Sequence, residues 1–169
     1  MTTAASTDFP AAPSSGDQYF RTDLGLDCYY DGTRWLTKNE YAINFWPASA
    51  VEVISDDQDI ADPITLGTDD NVYITSVAGV FGVGSTNGGS DYWDIVLYGY
   101  QQNFAGGQTF ATLSTAALTA GQTTALEVAA TLNMHATDNV LFQFTSSETG
   151  DPSNLYVDSL TIYYRKIIT

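Results

Sequence analysis

Apolar and polar residues alternate with a period of two along much of the chain, and strongly helix-favouring runs are few. Tyr41, Ile43 and Phe45 alternate with polar or small partners, and a second short run, Ala50 to Ser55, follows Trp46-Pro47. A short edge strand is expected at Ile64 to Leu66. Long strands are expected over Val72 to Val83 and Tyr92 to Phe104, separated by the loop sequence GVGSTNGGSD. In the second of these, Trp93, Ile95 and Leu97 share one face, and Val96, Tyr98 and Tyr100 share the other. Thr109 to Leu113 follows, then Ser114 to Gly121 with room for a single helical turn. Two more alternating runs carry Leu126, Val128, Ala130 and Leu132, and Val140, Phe142 and Phe144. The last strand spans Leu155 to Ile168. Its apolar residues sit on odd positions at Leu155 and Val157 but on even ones at Leu160, Ile162 and Tyr164, a phase change that predicts a β-bulge near Asp158-Ser159.

Ahead of these, residues 17–37 read as a three-stranded meander: Asp17 to Thr22, Leu26 to Tyr30 and Thr33 to Thr37. Turns fall at Asp23-Leu24-Gly25 and Asp31-Gly32, the latter a strong hairpin signal because both central residues of a tight turn need positive φ. A two-residue second loop sets Tyr30 against Thr33, Tyr29 against Arg34 and Cys28 against Trp35. A three-residue first loop sets Thr22 against Leu26, Arg21 against Asp27 and Phe20 against Cys28. One face then carries Phe20, Leu26, Cys28, Tyr30 and Trp35, and the other an Arg21–Asp27 pair and a Tyr29–Arg34 cation–π contact. Strands this short need their apolar face covered by the rest of the chain, a sister subunit or a larger assembly.

The expected architecture is all-β: an extended arm over residues 1–16, the meander over 17–37, and an antiparallel jelly-roll β-sandwich of about eight strands over 38–169. The missing Cys-Trp-Cys pattern argues against an immunoglobulin domain. The N-terminal segment lacks a basic start and an apolar core, so it does not read as a secretory signal, and no apolar run is long enough to span a bilayer.

Composition sharpens this in one respect. The formal charge is −15, and the five basic residues are Arg21, Arg34, Lys38, Arg165 and Lys166. Residues 39–164 therefore hold no base, and fifteen of the twenty acids. No nucleic-acid partner is expected, since phosphate contacts need Lys and Arg. The acidic body serves solubility or forms an outer surface, with the bases at the two chain ends marking an attachment side.

Catalytic chemistry finds little footing. The single histidine, His135, has no serine in a nucleophile-elbow pattern and cannot build a multi-histidine metal site. Asp91 and Asp94 flank Trp93, the loosest form of a glycosidase carboxylate pair, and read as solvated acids. Asp56 to Asp62 and Asp69-Asp70 offer oxygen ligands to calcium without the EF-hand spacing. Otherwise no cofactor is expected. Cys28 is a lone cysteine on the expected apolar face, and reads as an inert small hydrophobe.

The stretch FPxxPxxGDxYFRTDLGLxxYYDGTRWL, Phe9 through Leu36, resembles a short module that recurs in structural proteins of tailed bacteriophages ahead of a β-sandwich. The closing Leu160-Thr161-Ile162-Tyr163-Tyr164-Arg165 is similar in style to phage jelly-roll domains. The resemblance implies a non-enzymatic virion protein that works by being assembled. The expectation is a capsid decoration (cement) protein on the outer capsid surface of the virion, made in the host cytoplasm and binding the major capsid protein lattice as a homotrimer. Its capsid or subunit interface would use Phe20, Arg21, Leu26, Tyr30, Arg34 and Trp35, with Tyr30 and Trp35 as central anchors. The other reading is a fibre-tip or host-adhesion domain presenting Trp46, Trp93 or Tyr98 to carbohydrate. A non-viral carbohydrate-binding module and an enzyme follow. No membrane partner is expected.

Overall fold

A computed structural model describes residues 4–45, 51–53, 58–60, 64–65, 71–86, 89–100, 108–134 and 141–169. It is an all-β sandwich of the jelly-roll type. Among the described residues thirteen strands run in the order β1 Ala4–Ser6, β2 Gln18–Arg21, β3 Leu26–Tyr30, β4 Trp35–Thr37, β5 Tyr41–Phe45, β6 Val51–Val53, β7 Ile64–Thr65, β8 Val72–Val83, β9 Tyr92–Tyr100, β10 Gln108–Ser114, β11 Thr123–Met134, β12 Leu141–Thr149 and β13 Leu155–Ile168. The larger sheet has the order β1-β2-β3-β4-β13-β8-β11, with β5 and β6 also on β13; the smaller is β10-β9-β12-β7.

The terminal strand is the spine of the larger sheet. Along one edge β13 pairs with β8, and along the other it pairs in succession with β6 at Leu155 to Val157, β5 at Leu160 to Tyr164 and β4 at Ile167 and Ile168. Three consecutive N-terminal segments are thus laid antiparallel on one long strand, and the meander joins the sandwich by backbone pairing. The expected bulge is present, as a register shift between Val157 and Ser159. It returns Leu160 and Ile162 to the face of Leu155 and Val157, and all four are 2 % exposed or less.

Between the sheets, side chains from both inner faces make one core, including Phe81, Ile74, Leu160 and Ile162 from the larger sheet and Trp93, Ile95, Leu97, Phe142 and Phe144 from the smaller. The expected inward set of Trp93, Ile95 and Leu97 is therefore the core-facing one. Thr115 is fully buried, and its Oγ1 takes the Trp93 N–H at 3.0 Å and donates to the Trp93 carbonyl at 2.9 Å, closing the end of the β9–β10 pair. The segment 115–122 is a chain of turns and not a helical turn, with Leu118 N donating to Thr115 O and Gln122 N to Thr119 O.

Both meander registers differ from expectation. At the first turn Arg21 lies opposite Leu26 and Tyr19 opposite Cys28, so the loop is the four residues 22–25, closed by Gly25 N donating to Arg21 O at 2.8 Å. Gly25 takes the positive φ, 67°, that this return requires. A slip of one residue flips every side chain of a strand to the other face. Tyr19, and not Phe20, accordingly joins Cys28 and Trp35 in a second small core. At the second turn Tyr30 lies opposite Trp35 and Cys28 opposite Thr37, a slip of two that leaves β3 and β4 on their expected faces. The Asp31 carboxylate causes it: Oδ1 accepts from Thr33 N at 2.7 Å and Arg34 N at 2.8 Å, which rolls the chain into a longer loop.

Candidate attachment surface

Phe9, carried in by the N-terminal arm, covers the meander's apolar face. Strand β1 pairs parallel with β2 from Ala4 to Ser6, and the chain then brings the Phe9 ring flat onto Trp35, centroids 4.4 Å apart and planes 4° apart. Tyr19 and Tyr30 tilt against the same indole at 5.9 and 5.3 Å, and Ile168 from β13 packs alongside. Trp35 is 7 % exposed as a result. It is a core residue of the free chain and not an exposed anchor. Burial also pushes the Cys28 thiol up from its ordinary range, in keeping with an inert, protonated side chain.

All five basic residues gather where the arm, meander and β13 meet, and four of them lie over aromatic rings. Arg21 stands over Phe9 at 4.7 Å, Arg34 over Tyr73 at 4.7 Å, Arg165 over Tyr29 at 5.5 Å and Lys166 over Tyr41 at 5.6 Å. Tyr41 in turn stacks on Tyr164, its partner across β5–β13, at 5.5 Å. Arg165 also donates to the Thr37 carbonyl at 3.0 Å and to that of Lys38, with Glu40 at 3.6 Å. Lys38 follows β4, its amide bonded to Asp27 O.

The pairings expected within the meander are replaced. Arg21 binds Asp23 through both Nε and Nη2, at 2.9 and 2.8 Å, and not Asp27. That hydrogen bonding raises the Arg21 pKa and lowers that of Asp23. Arg34 pairs with Asp31 at 3.1 Å and stacks on Tyr73, while Tyr29 receives Arg165. Of the six expected interface residues, Arg21, Leu26, Tyr30 and Trp35 share one face, and Phe20 and Arg34 lie on the other. Phe9, Tyr19, Tyr29, Tyr73, Arg165 and Lys166 complete the region. The excess of Arg and Lys at the two chain ends was the sequence signal that these ends meet.

The partition of charge is sharp. In residues 1–38 and 165–169 five bases balance five acids, so this region is neutral and residues 39–164 carry the whole −15. At the tip of the neutral region Leu24 is 49 % exposed, in the β2–β3 turn.

Elsewhere the candidate chemistry disperses. Trp93 is 2 % exposed and its indole N–H donates to Ser153 O at 2.9 Å, so it is a core residue and no carbohydrate platform; Tyr98 is half-buried. Asp91 accepts from Asp151 N at 2.9 Å and from Ser90 Oγ at 3.0 Å, bonds that hold its carboxyl below the usual range. Trp46, His135, Asp56, Asp57, Asp62, Asp69 and Asp70 lie outside the described residues. Among the described residues no three His, Cys, Asp or Glu side chains come together as a metal site.

No family model and no curated protein matches the sequence. Several solved structures are similar to this chain at low identity. A xylan-binding module of family CBM15 is 16 % identical with a TM-score of 0.39, over 80 % of this chain and 83 % of its own. The VP2 protein of infectious bursal disease virus, in derived T=1 particles, is 14 % identical with a TM-score of 0.44, over 92 % of this chain and 39 % of VP2. The Eiger TNF of S. frugiperda is 12 % identical with a TM-score of 0.43, over 78 % of this chain and 94 % of its own.

Proposed function

We propose that the protein is a non-enzymatic structural protein of a tailed-bacteriophage virion, a decoration or cement protein that attaches to the outer head lattice as a homotrimer. The observation that carries this reading is the charge partition: a neutral, base-bearing region built from the arm, the meander and the end of β13, against a body with no base at all. Copies of such a chain repel one another through their bodies and approach each other, or an acidic lattice, most easily through the neutral region. The resemblance of Phe9 through Leu36 to a virion module supports the same region as the adaptor.

Attachment then stabilises the shell by mass action, because the protein binds the assembled lattice and not the dissociated subunits. With Trp35 already covered by Phe9, the apolar contact falls to Leu24 at the turn tip, flanked by the Arg21–Asp23 pair. An exposed leucine held on a tight turn is suited to filling a pocket on a partner.

Co-sedimentation with heads lacking the protein tests this. Wild type pellets with the heads, and Leu24→Asp stays in the supernatant with an unchanged melting temperature. Sedimentation equilibrium of the free protein tests the trimer. Undiminished pelleting of Leu24→Asp removes the turn tip from the contact, and failure of the wild type to pellet removes the decoration reading.

A further inference from the structure

The outer face of the larger sheet, away from the smaller sheet and from the meander, carries a second feature that attachment does not use. Register sets its side chains in rows across β13, β8 and β11: Tyr156, Gly82 and Thr123; Ser159, Val80 and Ala125; Thr161, Ala78 and Glu127; Tyr163, Ser76 and Ala129. The middle column, on β8, is small throughout. An open groove of about 430 Å³ lies over it, with Tyr163 and Thr161 on one wall and Glu127 on the other, floored by Ala78, Val80 and Ala125.

Its polar groups are already oriented. Ser76 donates to Glu127 Oε1 at 2.7 Å, and Thr161 to Asn44 Oδ1 at 2.9 Å. Beyond the groove, on the same face, Tyr156 is 44 % exposed, yet its hydroxyl is tied to Glu52 Oε1 at 2.9 Å, a carboxylate also held by Asn154 Nδ2 at 2.5 Å. A large aromatic ring that is both exposed and fixed loses little entropy when a ligand stacks on it. Tyr156 and Tyr163 lie on β13 roughly 20 Å apart along the strand, each beside a small residue of β8, Gly82 and Ser76 respectively.

The geometry points to a binding site for a neutral oligosaccharide, lying along β8 with its sugar rings against Tyr156 and Tyr163 and its hydroxyls on the Glu127, Ser76 and Thr161 side chains. Aromatic faces supply stacking to the apolar face of a sugar ring, and fixed hydroxyl and carboxylate groups read its hydroxyls. None of the five basic residues lines the groove, so it offers nothing to a phosphate, a sulfate or a uronic acid. Its floor is open and shallow, which does not suit a compact apolar ligand needing enclosure. The site is independent of the proposed attachment and stands or falls apart from it.

The test is calorimetric titration of the full chain with cellohexaose, xylohexaose, mannohexaose and chitohexaose, with hexagalacturonate and hexalysine as charged controls. At least one neutral sugar is expected to bind at millimolar concentration or below. Tyr156→Ala and Tyr163→Ala each weaken it about tenfold, the order expected for one lost ring stack. Ala78→Trp, which fills the floor and removes no polar group, abolishes it; thermal melting identifies whether each variant remains folded. The site is refuted if no neutral sugar binds at millimolar concentration, or if binding survives all three substitutions in folded protein. Preferential binding of hexalysine would also refute it, by making this face merely an acidic surface.

Discussion

The Phe9 ring lies parallel to the Trp35 indole at 4.4 Å, so an aromatic residue from the N-terminal arm closes the face that three short strands leave open. The contact is local to the meander, which meets the spine through β4 and the last residues of β13. Trp35→Ala should cost about 3–5 kcal/mol, the range for a large buried aromatic. Phe9→Ala, at a half-buried position, should cost less, about 1–2 kcal/mol for the stacked pair and its covered area. Hydrogen exchange checks where the loss falls: the Gly16 and Tyr30 amides, bonded to Tyr30 O and Asp17 O, should exchange faster in Phe9→Ala while core amides of β8 and β13 hold. Uniform acceleration would mean that the meander does not open separately.

Thr115→Val tests the sandwich core. The side chain is fully buried, and its hydroxyl serves both the N–H and the carbonyl of Trp93. Valine keeps the volume and orphans a buried donor, at about 1–3 kcal/mol. Urea unfolding should show a lower midpoint with an unchanged slope; no shift in midpoint would show that the hydroxyl is dispensable.

Stability should fall at both ends of the pH scale for identifiable reasons. Asp91 has its folded pKa depressed by the Asp151 N–H and the Ser90 hydroxyl. Its contribution is therefore complete above the ordinary carboxylate range of the unfolded chain and disappears as pH falls through the lower, folded value. Tyr156 is the reverse case, raised chiefly by its hydrogen bond to Glu52, so its contribution is complete below the ordinary phenol value and disappears as pH rises through the folded one. Asp91→Asn should flatten the acid limb of a melting-temperature profile and Tyr156→Phe the alkaline limb. A limb that keeps its slope in the variant assigns that loss to other groups.

Cys28 is fully buried, with its pKa raised by that burial. A maleimide reagent should leave it unmodified in the native protein at neutral pH and label it fully in denaturant. Rapid native labelling would show that the meander opens freely.

Much of this was readable in the chain. Alternation alone placed Val72–Val83 and Leu155–Ile168 at the observed bounds, and the phase change at Val157 and Leu160 located the bulge, because a half-buried strand records its faces residue by residue. The meander's three strands were visible too, although the first and third are shorter than expected, but its registers were not. They depend on hydrogen bonds within the turns, Asp31 Oδ1 to Thr33 and Arg34 and Gly25 N to Arg21, and loops of different lengths are compatible with the same residues. That ambiguity is why Phe20 was expected beside Trp35 and Tyr19 was not. The pairing of Leu36 with Ile167, which carries Arg165 to Tyr29, joins residues far apart in sequence with no local mark.

Whether the neutral, base-bearing region is the attachment side is decided most directly by electron cryo-microscopy of intact particles carrying this chain. The account predicts density for the sandwich on the head lattice, three copies around a symmetry axis, with the Leu24 turn and the arm toward the shell and the acidic body outward. Density confined to the tail, or copies seated on the shell through the acidic body, would contradict it.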